Sequence, residues 1–305
     1  MAPRGACGVK LLWVRAMTMQ GKHVLITGGN TGIGKATAVE LARMGASVTI
    51  TSRDPVKGEA AVADIRRQSG SDAVKVMRLD LASLADVRRF AAEYLAGHPR
   101  LDVLINNAGL VLSDRTETVD GFETTFGVNH LGHFLLTHLL LDRLKESAPA
   151  RIVVLSSDAH RAARGLDFDD LQARRSYRGL PVYCRSKLAN ALFTIELAER
   201  LRGTGVTVNA VHPGVVRSGF ALDGDTRGVY RFLVGLAGRF MLSPEDGART
   251  SIHVASAPDL ETTSGMYFAR SKLKRPTRYA LDRQAALRLW EVSEQLTGLA
   301  KSAAA

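Results

Sequence analysis

A chain of 305 residues, 46% hydrophobic and 23% charged, has the make-up of a globular protein with a sizeable core. Its two cysteines, Cys7 and Cys184, are too few for a disulfide framework or a cysteine zinc site, which fits a reducing, cytoplasmic setting. The net charge of +11 is local: three basic residues in 1–16 and five in 270–278, with no acid in either run, supply +8 of it. No aromatic residue interleaves with the second run, which argues against a nucleic-acid stacking platform.

No apolar run reaches the roughly 18 residues that span a bilayer. The apolar stretch Val9 to Val14 is short and broken by Lys10, so it does not make a signal-peptide core. Residues 1–20 read as a poorly ordered tail and 21–305 as one domain. From Gly21 the pattern is strand, glycine turn, helix, repeated. Strands are expected at 23–27, 46–52, 73–79, 101–106, 151–156, 205–211 and 265–268. Helices are expected at 35–44, 55–68, from a Ser83 cap to about 96, and at 119–145, 181–202 and 281–297. Pro55 suits a first helical position, and Gly45 stops the first helix. This alternation predicts an α/β fold: a doubly wound parallel sheet of about seven strands with helices on both faces. The irregular stretches 158–180 and 217–243 follow strands five and six. They therefore fall at the carboxyl edge of the sheet, where ligands bind.

Three local patterns carry chemistry. Thr27-Gly28-Gly29-Asn30-Thr31-Gly32-Ile33-Gly34 follows a strand and opens a helix. Glycines there let the backbone turn tightly and approach a pyrophosphate, which a helix N-terminus stabilises. Asn106-Asn107-Ala108-Gly109 ends the fourth strand, and its small Ala108 and Gly109 allow a close approach. Tyr183 and Lys187 stand four residues apart on one helical face. An ammonium at that distance favours the phenolate, so the phenol is tuned for proton transfer. His130, His133 and His138 lack the spacing of a zinc-binding helix and read as core or surface histidines, with no metal.

These motifs, in this order, resemble the short-chain dehydrogenase/reductase superfamily over about residues 20–300. Val128-Asn129-His130-Leu131-Gly132-His133-Phe134, His212-Pro213-Gly214-Val215-Val216-Arg217-Ser218 and the 289–299 segment resemble its retinol dehydrogenase-like branch. The resemblance implies a Rossmann-like sheet and hydride transfer between a nicotinamide and a carbonyl or carbinol carbon. It implies catalytic roles for Asn129, Ser157, Tyr183 and Lys187, with Ser156 as the alternative to Ser157. Asn129 would open a kink in its helix and hold a water, and Cys184, Arg185 and Ser186 gain no role. It also implies cofactor contacts from Gly28, Asn30, Thr31, Gly32, Ile33, Gly34, Asp80, Leu81, Asn107, Ala108, Gly109, Tyr183, Lys187, Pro213, Gly214, Val216 and Ser218.

An acidic residue usually ends the second strand of NAD enzymes. Here Arg53 stands there, with Lys57 one turn on, and a guanidinium at that spot pairs with a 2′-phosphate, so NADP(H) is expected over NAD(H). The expected substrate is a lipophilic aldehyde, ketone, retinoid or steroid. The stretch 217–243 would form a lid over it and could rest on a membrane surface. A homo-oligomer is the expected assembly. A light-dependent, protochlorophyllide-reductase-like enzyme and a non-catalytic NADP(H)-binding sensor remain open as alternatives.

Overall fold

The computed structural model describes residues 18–216 and 242–299. Ser218, the expected tail up to residue 17 and nearly all of the 217–243 stretch lie outside the described residues. The strands are β1 (His23–Ile26), β2 (Ser47–Ser52), β3 (Val74–Arg78), β4 (Val103–Asn106), β5 (Ala150–Leu155), β6 (Val206–His212), β7 (Tyr267–Ala269) and β8 (Lys272–Leu273). The helices are α1 (Gly32–Arg43), α2 (Pro55–Ser69), α3 (Leu84–Gly97), α4 (Thr124–Phe126), α5 (Gly132–Glu146), α6 (Gly179–Arg200), α7 (Pro244–Ser256) and α8 (Arg283–Leu296).

The strands form one eight-stranded sheet in the order β3-β2-β1-β4-β5-β6-β7-β8. All pairings are parallel except β7 with β8. The architecture is therefore Rossmann-like, with one strand more than the seven expected. The central strands are continuous apolar runs because both faces are covered. One core layer joins β1 and β2 to α1, α2 and α7 through Val24, Leu41, Ile50, Ile65 and Val254. The opposite layer joins β4, β5 and β6 to α3, α5, α6 and α8 through Phe90, Leu104, Phe134, Phe193 and Trp290. Burying a leucine, isoleucine or phenylalanine of this kind contributes about 1.5–3 kcal/mol. No helix among the described residues is long and apolar enough to cross a membrane.

Strand order reverses between β1 and β4, and a crevice opens there at the carboxyl ends of the strands. Caps fix the elements that line it. Ser83 accepts from Asp86 N at 3.2 Å to start α3, and Pro55 sits in the first turn of α2, as the sequence predicts.

Several elements differ from expectation. The first helix begins at Gly32, inside the glycine turn. The expected 119–145 helix starts only at Thr124, because Gly121 is left-handed (φ 80°) and the Glu123 carboxylate caps Thr125 N and Phe126 N at 2.7 Å. That helix then loosens into a π turn over Gly127–Leu131 before continuing as α5. Helix α7 had no counterpart in the sequence reading, although Ser243 caps it and Pro244 opens it. Strand β8 was hidden in the basic run. It is joined to β7 by Arg270 (φ 51°) and Ser271 (φ 57°), two non-glycine residues in the left-handed region. Such a turn is usually built on Asn-Gly, so the sequence carried no hairpin signal.

Candidate active site

The glycine turn is shaped by two close approaches. Gly28 is left-handed (φ 62°), and a Cβ on Gly34 would lie 2.5 Å from Asn107 Nδ2 and from Gly28 O. Thr27, buried, ties this turn to the end of β4. Its Oγ1 accepts from Asn107 N at 2.8 Å and Ala108 N at 3.0 Å, and Asn107 Nδ2 donates to Thr27 O at 2.7 Å. Thr51 Oγ1 accepts from Gly28 N at 3.2 Å. Thr31 caps α1 without a side-chain bond, and no acid stands in the first turn, so the helix N-terminus presents its amides to the crevice.

At the end of β2 the acid and the bases separate. Asp54 caps α2, accepting from Val56 N at 2.9 Å and Lys57 N at 3.2 Å. The exposed side chains of Arg53 and Lys57 make no hydrogen bond or ion pair among the described residues. Asp80 combines two roles: Oδ1 accepts from Ala82 N at 3.0 Å, which tightens its turn, and the residue also lines the crevice. Asn106 is structural, donating to Thr137 Oγ1 at 2.8 Å.

At the other end of the crevice, Lys187 is buried with 3% exposure and donates to Leu155 O at 3.1 Å. No carboxylate pairs with it among the described residues. Burial pushes its ammonium down to about 8. Its Nζ lies 5.7 Å from the centre of the Tyr183 ring, as one helical turn requires. The two serines after β5 differ. Ser156 is buried and spends its hydroxyl on Lys187 O at 2.8 Å. Ser157 accepts from Ala159 N at 3.1 Å, which leaves its hydroxyl proton available to a ligand oxygen.

Asn129 lies in the π turn. Its amide is fully engaged: Oδ1 accepts from Leu110 N at 2.8 Å, and Nδ2 donates to Leu110 O at 2.9 Å and Ser186 Oγ at 3.0 Å. Ser186 in turn donates to Tyr183 O at 2.8 Å, so the residue given no role by its sequence joins Asn129 to the tyrosine helix. The histidines are core groups. His130 bonds Ser293 Oγ at 2.9 Å. His133 Nε2 meets Thr27 Oγ1 at 2.8 Å, and its Nδ1 meets Asn129 O at 3.3 Å. Because Asn129 O can only accept, the His133 proton sits on Nδ1, which leaves Nε2 to accept from Thr27 Oγ1; that hydroxyl also lies 3.4 Å from Ile105 O. Burial lowers His133 to about 3, in keeping with a neutral ring.

One crevice, of about 380 Å³, is lined by Gly28, Asn30, Thr31, Gly32, Ile33, Gly34, Arg53, Lys57, Asp80, Leu81, Asn107, Ala108, Gly109, Ser157, Tyr183, Lys187, Pro213, Gly214 and Val216 among others. The structure thus brings together the described residues singled out from the sequence, except Asn129, which does not line the crevice; Ser218 lies outside the described residues. The sequence reading passed over Thr27, Thr51 and Ser186. A hydroxyl directly before the glycine turn and one beside the Tyr–Lys pair were the available signals.

A crevice at a strand-order reversal, floored by a glycine turn and ended by a Tyr–Lys pair, defines a dinucleotide-dependent oxidoreductase. The family profile described as short chain dehydrogenase matches residues 22–225, and the chain belongs to that family. It is 52% identical to retinol dehydrogenase 12 of Mus musculus over 281 residues, covering 92% of this chain and 87% of that protein. Among solved structures, a crystal structure of an uncharacterized protein from Mycobacterium paratuberculosis superposes with a TM-score of 0.75 at 38% identity, covering 92% of this chain and 95% of that one. The NADP complex of Pseudomonas aeruginosa RhlG superposes with a TM-score of 0.66 at 28% identity, covering 83% and 96%. The protein is therefore a short-chain oxidoreductase of the retinol dehydrogenase-like kind that uses a nicotinamide cofactor.

The Lys187 charge carries a stability cost. Its folded form favours the neutral amine, so the cost is full below about pH 8 and disappears as pH rises toward 10.5. The shift corresponds to a cost on the order of 3 kcal/mol. Lys187→Met should raise the unfolding midpoint of the free protein at pH 7 by roughly 3–6 °C. Calorimetry from pH 7 to 10.5 should show that gain shrinking; a lower midpoint at pH 7 contradicts the analysis.

Proposed function

We propose that the protein interconverts a carbonyl and an alcohol on a lipophilic small molecule, a retinoid, steroid or long-chain aldehyde, with NADP(H) preferred over NAD(H). The observation that carries the cofactor preference is the division of labour after β2. Asp54 is committed to the helix cap, while Arg53 and Lys57, without an ion pair among the described residues, line the crevice. A ribose diol needs an acceptor there, whereas a 2′-phosphate needs cations. The apolar mouth supports a lipophilic substrate. Leu110, Leu155 and Val216 line the crevice, and Val215 and Leu242, joined by a bond from Leu242 N to Val215 O at 2.8 Å, are exposed next to its Gly214 and Val216 edge. The similarity to retinol dehydrogenase 12 points to the same substrate class.

When bound, the nicotinamide supplies or accepts the hydride. The Tyr183 hydroxyl gives its proton to the substrate oxygen in reduction and takes it back in oxidation. Lys187 favours the phenolate and directs its remaining N–H groups into the crevice. Ser157 donates to the substrate oxygen and orients it. Asn129 holds the Leu110 backbone and, through Ser186, the start of the tyrosine helix. The residues from Gly28 to Gly34 bind the pyrophosphate with backbone amides.

Two variants test this reading in darkness, which also separates it from a light-driven enzyme. Tyr183→Phe should lower turnover by about 10²–10⁴-fold while NADPH binding stays near normal; retention of a tenth of the rate would refute the role. Arg53→Ala should raise KM for NADPH about 10- to 100-fold and leave that for NADH unchanged. Equal effects on both cofactors would contradict the assignment.

A further inference from the structure

The basic run 270–278 is unexplained by cofactor or substrate binding, and the structure gives it a place. Asp158 directly follows Ser157. Its Oδ2 accepts from Lys274 Nζ at 2.6 Å and lies 3.4 Å from His212 Nε2. Its Oδ1 accepts from Arg161 Nε at 3.1 Å and Tyr267 OH at 3.3 Å. Its backbone N donates to His212 Nδ1 at 3.2 Å. A neutral imidazole that accepts at Nδ1 carries its proton on Nε2, and that proton faces the Asp158 carboxylate. His212 is the last residue of β6 and directly precedes Pro213 and Gly214 at the crevice.

The run is fastened to the same turn at two more points. Arg161 Nη2 donates to Arg275 O at 2.7 Å, and Thr277 N donates to His160 Nε2 at 3.4 Å. The left-handed Arg270–Ser271 turn folds the chain back to make these contacts. One carboxylate therefore joins three segments: the turn after Ser157, the end of β6 and the β7–β8 hairpin. We infer that Asp158 and Lys274 are positioning residues, which hold Ser157 against the substrate oxygen and the Pro213–Gly214 turn against the cofactor. The inference rests on the proposed function for its catalytic arm.

Charge and exposure set the expected signature. Burial alone would raise Asp158, but the Lys274 bond, His212 and Arg161 outweigh it and hold the carboxyl down at about 2. The pair is partly exposed, with 41% of the Lys274 side chain and 31% of the Asp158 side chain accessible. Such a pair adds little to stability. A misplacement of about 1 Å at a reacting group, by contrast, can cost up to about 100-fold in rate. The pair should therefore matter for turnover far more than for folding.

The test uses the full chain with Lys274→Met and Lys274→Arg. Turnover of retinal with NADPH, NADPH binding by fluorescence titration and the unfolding midpoint are measured together. Lys274→Met should lower kcat about tenfold or more and weaken NADPH binding severalfold, with little change in midpoint. Lys274→Arg, which keeps the charge, should recover most of both. If Lys274→Met fails to fold, Asp158→Asn should give the same two losses. The inference is overturned if kcat and NADPH affinity of the neutral variant stay within about twofold of wild type, or if Lys274→Arg is as impaired as Lys274→Met. The binding readout needs no turnover. If Tyr183→Phe keeps its activity, the proposed function falls while the clamp on the Pro213–Gly214 turn is still tested.

Discussion

Lys187 carries an ammonium into the protein interior with no carboxylate to meet it among the described residues, and the surrounding structure must tolerate that charge. Its fixed partner is the last carbonyl of β5, Leu155 O, which also accepts from Asn190 Nδ2 at 3.0 Å. Because β5 is central and parallel, its C-terminal carbonyl opens into the crevice rather than into the ladder. The charge is therefore placed where the sheet has an acceptor to spare and a ligand can use the remaining donors. One turn earlier on the same helix stands Tyr183. The lysine destabilises the free protein and thereby stores the electrostatic bias that proton transfer needs, a pattern expected where activity and stability compete.

A chain of side-chain bonds transmits order from the dinucleotide end of the crevice to this pair. Thr27 joins the glycine turn to Asn107 and Ala108, His133 joins Thr27 to the Asn129 carbonyl, and Asn129 joins Leu110 to Ser186 and so to Tyr183. The π turn at Gly127–Leu131 makes this possible, because Asn129 leaves regular helical geometry just where it must reach the Leu110 backbone. On the opposite side, Asp158 gathers the ends of β5, β6 and the last hairpin. The crevice is thus braced from both flanks by polar networks rather than by apolar packing alone.

How much of this was legible in the sequence depended on distance along the chain. The glycine turn, the Asn106–Gly109 segment and the Tyr183–Lys187 pair are local patterns, and their spacing alone places them at strand ends or on one helical face. The place of Arg53 at the crevice could be read because it directly follows β2. Links between distant segments could not be read. Ser186 looked inert because its partners lie on the 129 turn and on its own helix backbone. Strand β8 was hidden because a left-handed Arg270–Ser271 turn replaces the usual glycine. The start of α4 was misplaced because periodicity does not register a left-handed Gly121 or a carboxylate cap from Glu123.

The central claim is that a hydride passes between the nicotinamide and a lipophilic carbonyl carbon beside Tyr183. A single-turnover reaction with NADPH dideuterated at nicotinamide C4, so that either face carries label, using retinal as acceptor, tests it most directly. The account predicts deuterium on the carbinol carbon of the alcohol and a slower reaction than with unlabelled NADPH. Binding of NADPH with no label in the product would contradict it.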